Sequence, residues 1–126
     1  MNSNLIIYQS EDGQINIQTH LENETVWLTI EQMAELFQKA KSTINEHILN
    51  IYKEGELEKE TSMRKIGNSD FSTKPTNFYN LDVIISVGYR VNSSSAIKFR
   101  QWATQTLKEH ITQGFTINKD RLAQDK

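Results

Sequence analysis

The sequence predicts an α+β domain: a small antiparallel N-terminal sheet, a helix-turn-helix of the winged kind, a β-hairpin wing, and two packed C-terminal helices. Three observations carry that prediction. Ile15, Ile17, Thr19 and Leu21 alternate with Gln14, Asn16, Gln18 and His20, the period of a strand with one buried and one wet face. Thr29 and Gln32 then form a capping box that opens an apolar stripe of helical period. Finally, the apolar run Leu81 to Val91 precedes a second helical stripe at Phe99, Trp102, Ala103, Thr106, Leu107 and Ile111.

The sheet is expected over residues 5–28. Leu5-Ile6-Ile7-Tyr8 is a compact strand, and Glu11-Asp12-Gly13 supplies an Asp-Gly turn of the kind that closes hairpins. A third strand, Thr25 to Leu28, follows the polar turn Glu22-Asn23-Glu24.

Residues 29–55 read as the helix-turn-helix. Ile30, Met33, Ala34 and Phe37 share one face of the first helix, while Ile44, Ile48 and Ile51 share one face of the second. The small Ala34 lets the helices cross closely, and Gly55 suits the left-handed cap that ends the second. The second helix then turns Lys41, Ser42, Thr43, Asn45, His47 and Asn50 outward. These groups can bond phosphates or base edges in a DNA major groove. Asn45 and His47 are expected opposite the isoleucine stripe, with Asn45 suited to adenine. An ordinary helical hairpin with a polar outer face is the competing reading.

Residues 61–79 form the second hairpin, with Ser62 to Ile66 and Thr76 to Tyr79 as arms and a polar tip between them. Arg64, Lys65 and Lys74 make it basic, as a wing would be, although a solvated connecting hairpin has the same composition. Residues 80–114 hold the helical pair. Leu81 to Val91 could be a buried strand, but Asn80 and Asp82 at its start favour a helix. Arg90, near its end, either bonds the last carbonyls or reaches a phosphate. Ser93-Ser94-Ser95 breaks the run, Ser95 caps the next helix and Gly114 stops it, leaving 115–126 as a polar tail. Lys98, Arg100, Gln101, Gln105 and Lys108 lie outside its apolar stripe.

Composition bounds the function. The 126 residues include no cysteine, so disulfides, Cys-based zinc sites and thiol nucleophiles are excluded. His20, His47 and His110 have no mutual ligand spacing, and no glycine loop could cradle phosphates. The serine cluster has neither an adjacent base nor a nucleophile-elbow turn. The chain is therefore expected to be neither an enzyme nor a cofactor or metal protein. Trp27 and Trp102 are read as core anchors. No apolar run reaches a membrane span and no signal segment opens the chain, so a cytoplasmic, non-membrane location is the default. The net charge is −2, yet residues 1–60 carry 4 Lys/Arg against 11 Asp/Glu and residues 61–126 carry 10 against 5. Phosphate contacts are therefore expected from the C-terminal half together with Lys39 and Lys41, with the acidic run Glu54 to Glu60 in a solvated turn facing away from any duplex.

The helix pair, the string Phe78-Tyr79-Asn80-Leu81-Asp82-Val83-Ile84-Ile85-Ser86-Val87-Gly88-Tyr89-Arg90-Val91 and the segment Phe99-Arg100-Gln101-Trp102-Ala103-Thr104 resemble the RhuM family of bacterial virulence proteins. The resemblance runs from about Tyr8 to Leu122 and implies an isolated N-terminal domain of a longer protein. The Phe-Arg-Gln-Trp segment is also similar, more weakly, to the Bro-N and KilA-N domains of phage antirepressors, which implies DNA binding. The chain departs from these relatives at Gln38-Lys39-Ala40, where a glycine or small residue, an apolar residue and a Ser or Thr are usual. A looser turn is expected there, with the helix cap moved from Ala40 to Ser42. Basic residues usual in the loop at Ser93-Ser94-Ser95 are missing too, which weakens its phosphate grip.

Two functions follow as expectations. One is duplex DNA binding, as in a transcriptional regulator or antirepressor of a mobile element. The other is a protein-interaction module that docks a partner repressor or self-associates. Because a helix-turn-helix gains specificity by pairing two half-sites, a weak homodimer through the C-terminal helices is expected, with Ile97 and Phe115 meeting a second copy.

Overall fold

A computed structural model describes residues 4–66 and 76–124, with side chains over 5–65 and 76–110. Five antiparallel strands form one sheet in the order β1-β2-β3-β5-β4: β1 (Asn4–Gln9), β2 (Asn16–Glu22), β3 (Thr25–Leu28), β4 (Met63–Ile66) and β5 (Thr76–Asn80). Helices α1 (Ile30–Phe37), α2 (Lys41–Lys53) and the short α3 (Lys59–Ser62) lie between β3 and β4 in sequence. Helices α4 (Leu81–Arg90) and α5 (Ser95–Gln124) follow β5.

The alternation expected in β2 holds for Ile17, Thr19 and Leu21, which are buried, and for Asn16 and Gln18, which are exposed, whereas His20, expected on the wet face, is half-buried against Phe78. The register then sets the rest of that face, with Tyr8 opposite Ile17, Val26 opposite Leu21, and Tyr79 opposite both Leu28 and Met63. These side chains join Met33, Leu36, Phe37, Ile44, Ile48, Ile51, Val83, Ile84, Val87, Phe99 and Ala103 in one apolar core. Tyr8 meets the rings of Phe99 and Trp102 edge-on, both at 5.1 Å, and so ties the first strand to the last helix.

Two turns close the N-terminal strands. In the first, Asp12 accepts from the Ser10 hydroxyl at 2.6 Å and from the Gln14 N–H at 3.0 Å. Its carboxyl is held below its ordinary pKa, chiefly by the Ser10 bond. In the second, Asn23 and Glu24 both take left-handed φ (55° and 63°), the primed turn whose twist matches a hairpin.

The opposite sheet face carries the other register partners. Trp27, across from His20 and Asn80, is buried there, and its indole N–H donates to the Glu22 carbonyl at 2.9 Å. Phe78 meets His20 at 4.6 Å, and Arg64 lies 5.5 Å over the Trp27 ring while pairing with Glu22 at 3.1 Å. Trp27 is an anchor, as expected, but of this small second cluster. The second hairpin also differs in placement: its arms match the expected bounds closely, yet β5 pairs with β3, so the hairpin continues the main sheet.

The helix ends are set by local chemistry. The Thr29–Gln32 capping box is present in α1, and Asn80 caps α4 by accepting from the Val83 N–H at 3.2 Å. Gly55 (φ 79°) ends α2 with Gly55 N–H to the Tyr52 carbonyl and Glu56 N–H to the Ile51 carbonyl, a Schellman motif. Asn92 (φ 61°) ends α4 in the same way, with Ser93 N–H reaching the Gly88 carbonyl.

Four details depart from the sequence expectation. The cap of α2 stays at Ala40 and no side chain bonds it, because Gln38 takes a left-handed turn (φ 56°) that starts the helix at Lys41. Ser93, not Ser95, caps α5: its hydroxyl accepts from the Ser95 N–H at 3.2 Å. Residues 59–62 form α3 before the hairpin; Ser62, expected in its first arm, is buried there and bonds Tyr52 at 2.9 Å. Gly114 does not stop α5, and 115–124 are helical in place of an irregular tail. An interior glycine costs a helix only about 1 kcal/mol, and the lysine, arginine, leucine and alanine that follow favour helix. At 1.5 Å per residue the helix is about 45 Å long.

Candidate nucleic-acid interface

The α1–α2 pair is held by apolar packing on one side and leaves the far side of α2 open. Ile44, Ile48 and Ile51 are buried, while Ser42, Asn45, Glu46, Leu49 and Lys53 are exposed. The turn between the helices is short. Both the Gln38 and Lys39 N–H groups reach the Ala34 carbonyl, and the Gln38 amide donates to the Glu35 carbonyl at 2.6 Å. Lys39 and Lys41 therefore stand at the entry to α2, both exposed. Lys41 lies 3.3 Å from Glu31, but the two side chains are 63% and 76% exposed, so the pair holds Lys41 only weakly. No side chain caps α2, so its leading amides and the positive end of its dipole face outward beside these lysines.

The other expected site residues are dispersed. Thr43 and Asn50 are half-buried on the flank of α2. His47, expected opposite the isoleucines, is also half-buried, because its position in the helical turn brings it close to the buried stripe. Arg64 lies on β4 in the Trp27 cluster, with Lys65 exposed beside it. Lys74 lies outside the described residues. Arg100, on α5, meets the Tyr89 hydroxyl at 3.4 Å.

Arg90, expected either to bond the last carbonyls of its helix or to reach a phosphate, bonds the acidic run instead. It donates to Glu54 at 2.8 Å and to Glu56 at 2.7 Å. Glu56 also accepts from the Ser86 hydroxyl at 2.6 Å, and that bond, followed by the one from Arg90, holds its carboxyl below the ordinary range. Part of the acidic run thus clamps the end of α2 to α4. Burial lowers the His20 pKa, and the three histidines lie on three different elements: His20 on β2, His47 on α2 and His110 on α5.

Glu46, Leu49 and Lys53 belong to the outward row but were not among the expected site residues. The signal was available: stepping from Ser42 at helical period reaches 45, 46, 49 and 53. Glu46 and Leu49 carry no phosphate-binding group, and Lys53 stands about three turns away from Lys41 at the far end of α2.

The comparisons complement this geometry. The family model described as Virulence protein RhuM family matches residues 57–126, from just before α3 to the end of the chain. The chain belongs to the RhuM family. The match is shorter than the expected span from about Tyr8 to Leu122, and the expected Bro-N and KilA-N likeness has no counterpart in it. The helix pair lies N-terminal to the RhuM match, so its role has to be argued from its own surface. No curated protein and no solved structure matches the chain significantly. Among the described residues, no helix is long and apolar enough to cross a membrane.

Proposed function

We propose that this RhuM-family domain binds duplex DNA through α2, in the manner of a transcriptional regulator. The observation that carries the reading is the exposed row Ser42, Asn45, Glu46 and Leu49, led by Lys39 and Lys41 at a helix start that no side chain caps. Lysines and free amides at such an end suit phosphates and fix register. The row behind them holds three base-reading chemistries: Asn for adenine, Glu for the cytosine amino group, and an apolar group for the thymine methyl. Lys53, on the same row, can take a phosphate at the far end.

A salt titration of binding by fluorescence anisotropy tests this reading. With about three phosphates neutralised by Lys39, Lys41 and Lys53, log K should fall against log salt with a slope near −2.7, about 0.9 per contact. Absence of binding at low salt on a library of genomic fragments would contradict it.

One feature favours a second reading, a protein-docking module. An open groove of about 400 Å³ runs between α4 and α5, lined by Leu57, Leu81, Ile85 and Tyr89 with Arg100 at its side. Tyr89, 59% exposed, offers an aromatic face at the groove's rim. Under this reading Tyr89→Ala abolishes partner capture, whereas under the DNA reading it leaves anisotropy unchanged.

A further inference from the structure

We propose that two copies of this chain associate through the free edge of β1, joining their sheets across a two-fold axis. β1 is the end strand of the sheet, and among the described residues no strand pairs with its outer side. Edge strands are usually protected from such pairing by charge, proline or a bulge. Asn4–Gln9 has none of these: it carries no charged residue or proline, and its register with β2 runs without interruption from Asn4↔Leu21 to Gln9↔Asn16. Leu5 and Ile7 point away from the helices and are 55% and 58% exposed.

The strand is self-complementary in one register. A two-fold axis normal to the sheet keeps the two sheet faces in common, so opposed residues must lie on the same side of their strands. Centring the pairing on Ile6 sets Leu5 against the partner's Ile7, and Ile7 against the partner's Leu5, covering both exposed side chains. Centring on Ile7 would set Leu5 against Gln9, so the Ile6 register is the one that pairs the two exposed apolar side chains. The neutral strand meets no repulsion from its copy, and Glu11, just past its end, is held by Lys98 at 2.7 Å. Ile6, half-buried at the margin of the core, would gain cover from its own symmetry mate. The occupant is thus a second copy, seated on the backbone edge of β1.

The chain contains no cysteine, which makes a crosslinking test clean. Opposed residues in an antiparallel pair lie about 4.5–5.5 Å apart at Cα, within disulfide range. Ile6→Cys should therefore oxidise to a covalent dimer at least tenfold faster than Gln18→Cys, which places its thiol on the exposed face of β2, where Ile7 of β1 lies opposite and the Gln32 amide bonds the Gln18 carbonyl. In parallel, sedimentation of the unmodified chain should shift towards dimer with concentration, and the double variant Leu5→Lys, Ile7→Lys should stay monomeric with an unchanged circular dichroism spectrum. Equal crosslinking of the two cysteine variants would overturn the proposal. So would a dimer that survives the lysine pair, as would one formed through the C-terminal helices. Because neither arm involves DNA, the result is independent of the proposed DNA binding.

Discussion

Gly88 shows how tightly single positions constrain this fold. A Cβ built there would lie 2.3 Å from the Ala96 Cβ and 3.1 Å from the Phe37 ring, so the missing side chain is what lets α4 approach α5 and α1. Gly88→Ala should cost about 1–3 kcal/mol, the usual penalty for overpacking a closed core. Denaturant titration would measure it, and adding Ala96→Gly should recover part of the loss. Gln38 illustrates the reverse case. It holds a left-handed φ of 56° without being glycine, which costs about 1 kcal/mol, so Gln38→Gly should raise stability by roughly that amount. On α2, Asn45 and Lys41 should separate in their effects on DNA binding. Asn45→Ala should cost about 1–3 kcal/mol on a preferred site and little on random sequence, while Lys41→Ala weakens both alike. Anisotropy on the two DNAs measures both, and equal losses everywhere would remove the base-reading role from Asn45.

Pairs of elements are joined by contacts that titrate. Glu56, bonded to Ser86 and Arg90, has a lowered pKa in the folded state, so its stabilising contribution is present above the unfolded carboxylate pKa and is lost as pH falls through the folded value. His20 also has a lowered pKa, from burial against Phe78. The unfolded chain therefore takes up that proton first, and stability declines as pH drops below the ordinary histidine range. Melting temperature should fall in two stages on acidification, and Glu56→Gln should reduce only the lower one, to which Asp12 also contributes. Neither linkage was legible in the sequence, since Glu56 and Ser86 stand thirty residues apart and the pairing depends on how α4 packs. What was legible is local: the Thr29–Gln32 and Asn80 caps, the left-handed stop at Gly55, and the alternation of β2 each fix their element from within a few residues. The faces of Trp27 and Phe78 were hidden because they depend on strand order. The full length of α5 was not legible because an interior glycine weakens a helix without ending it.

Across the described residues, one five-stranded sheet carries the helices on one face, with the helix pair inserted between β3 and β4. The insertion is fastened at both ends: the α1 capping box follows directly on β3, and the Glu54–Glu56–Arg90 clamp ties the end of α2 to α4. A helix braced in this way can present a fixed outward row, which is what recognition of a groove requires. Arg64, Arg90 and Arg100 of the C-terminal half do not extend that row, because each sits in a local contact of its own. The central claim, that α2 is the DNA-facing element, is tested most directly by amide chemical-shift mapping of the isotope-labelled chain titrated with duplex DNA at low salt. The account predicts shifts concentrated from Lys39 to Lys53, strongest at Lys41, Ser42, Asn45 and Leu49. Shifts confined to the α4–α5 groove, or none at all, would contradict it.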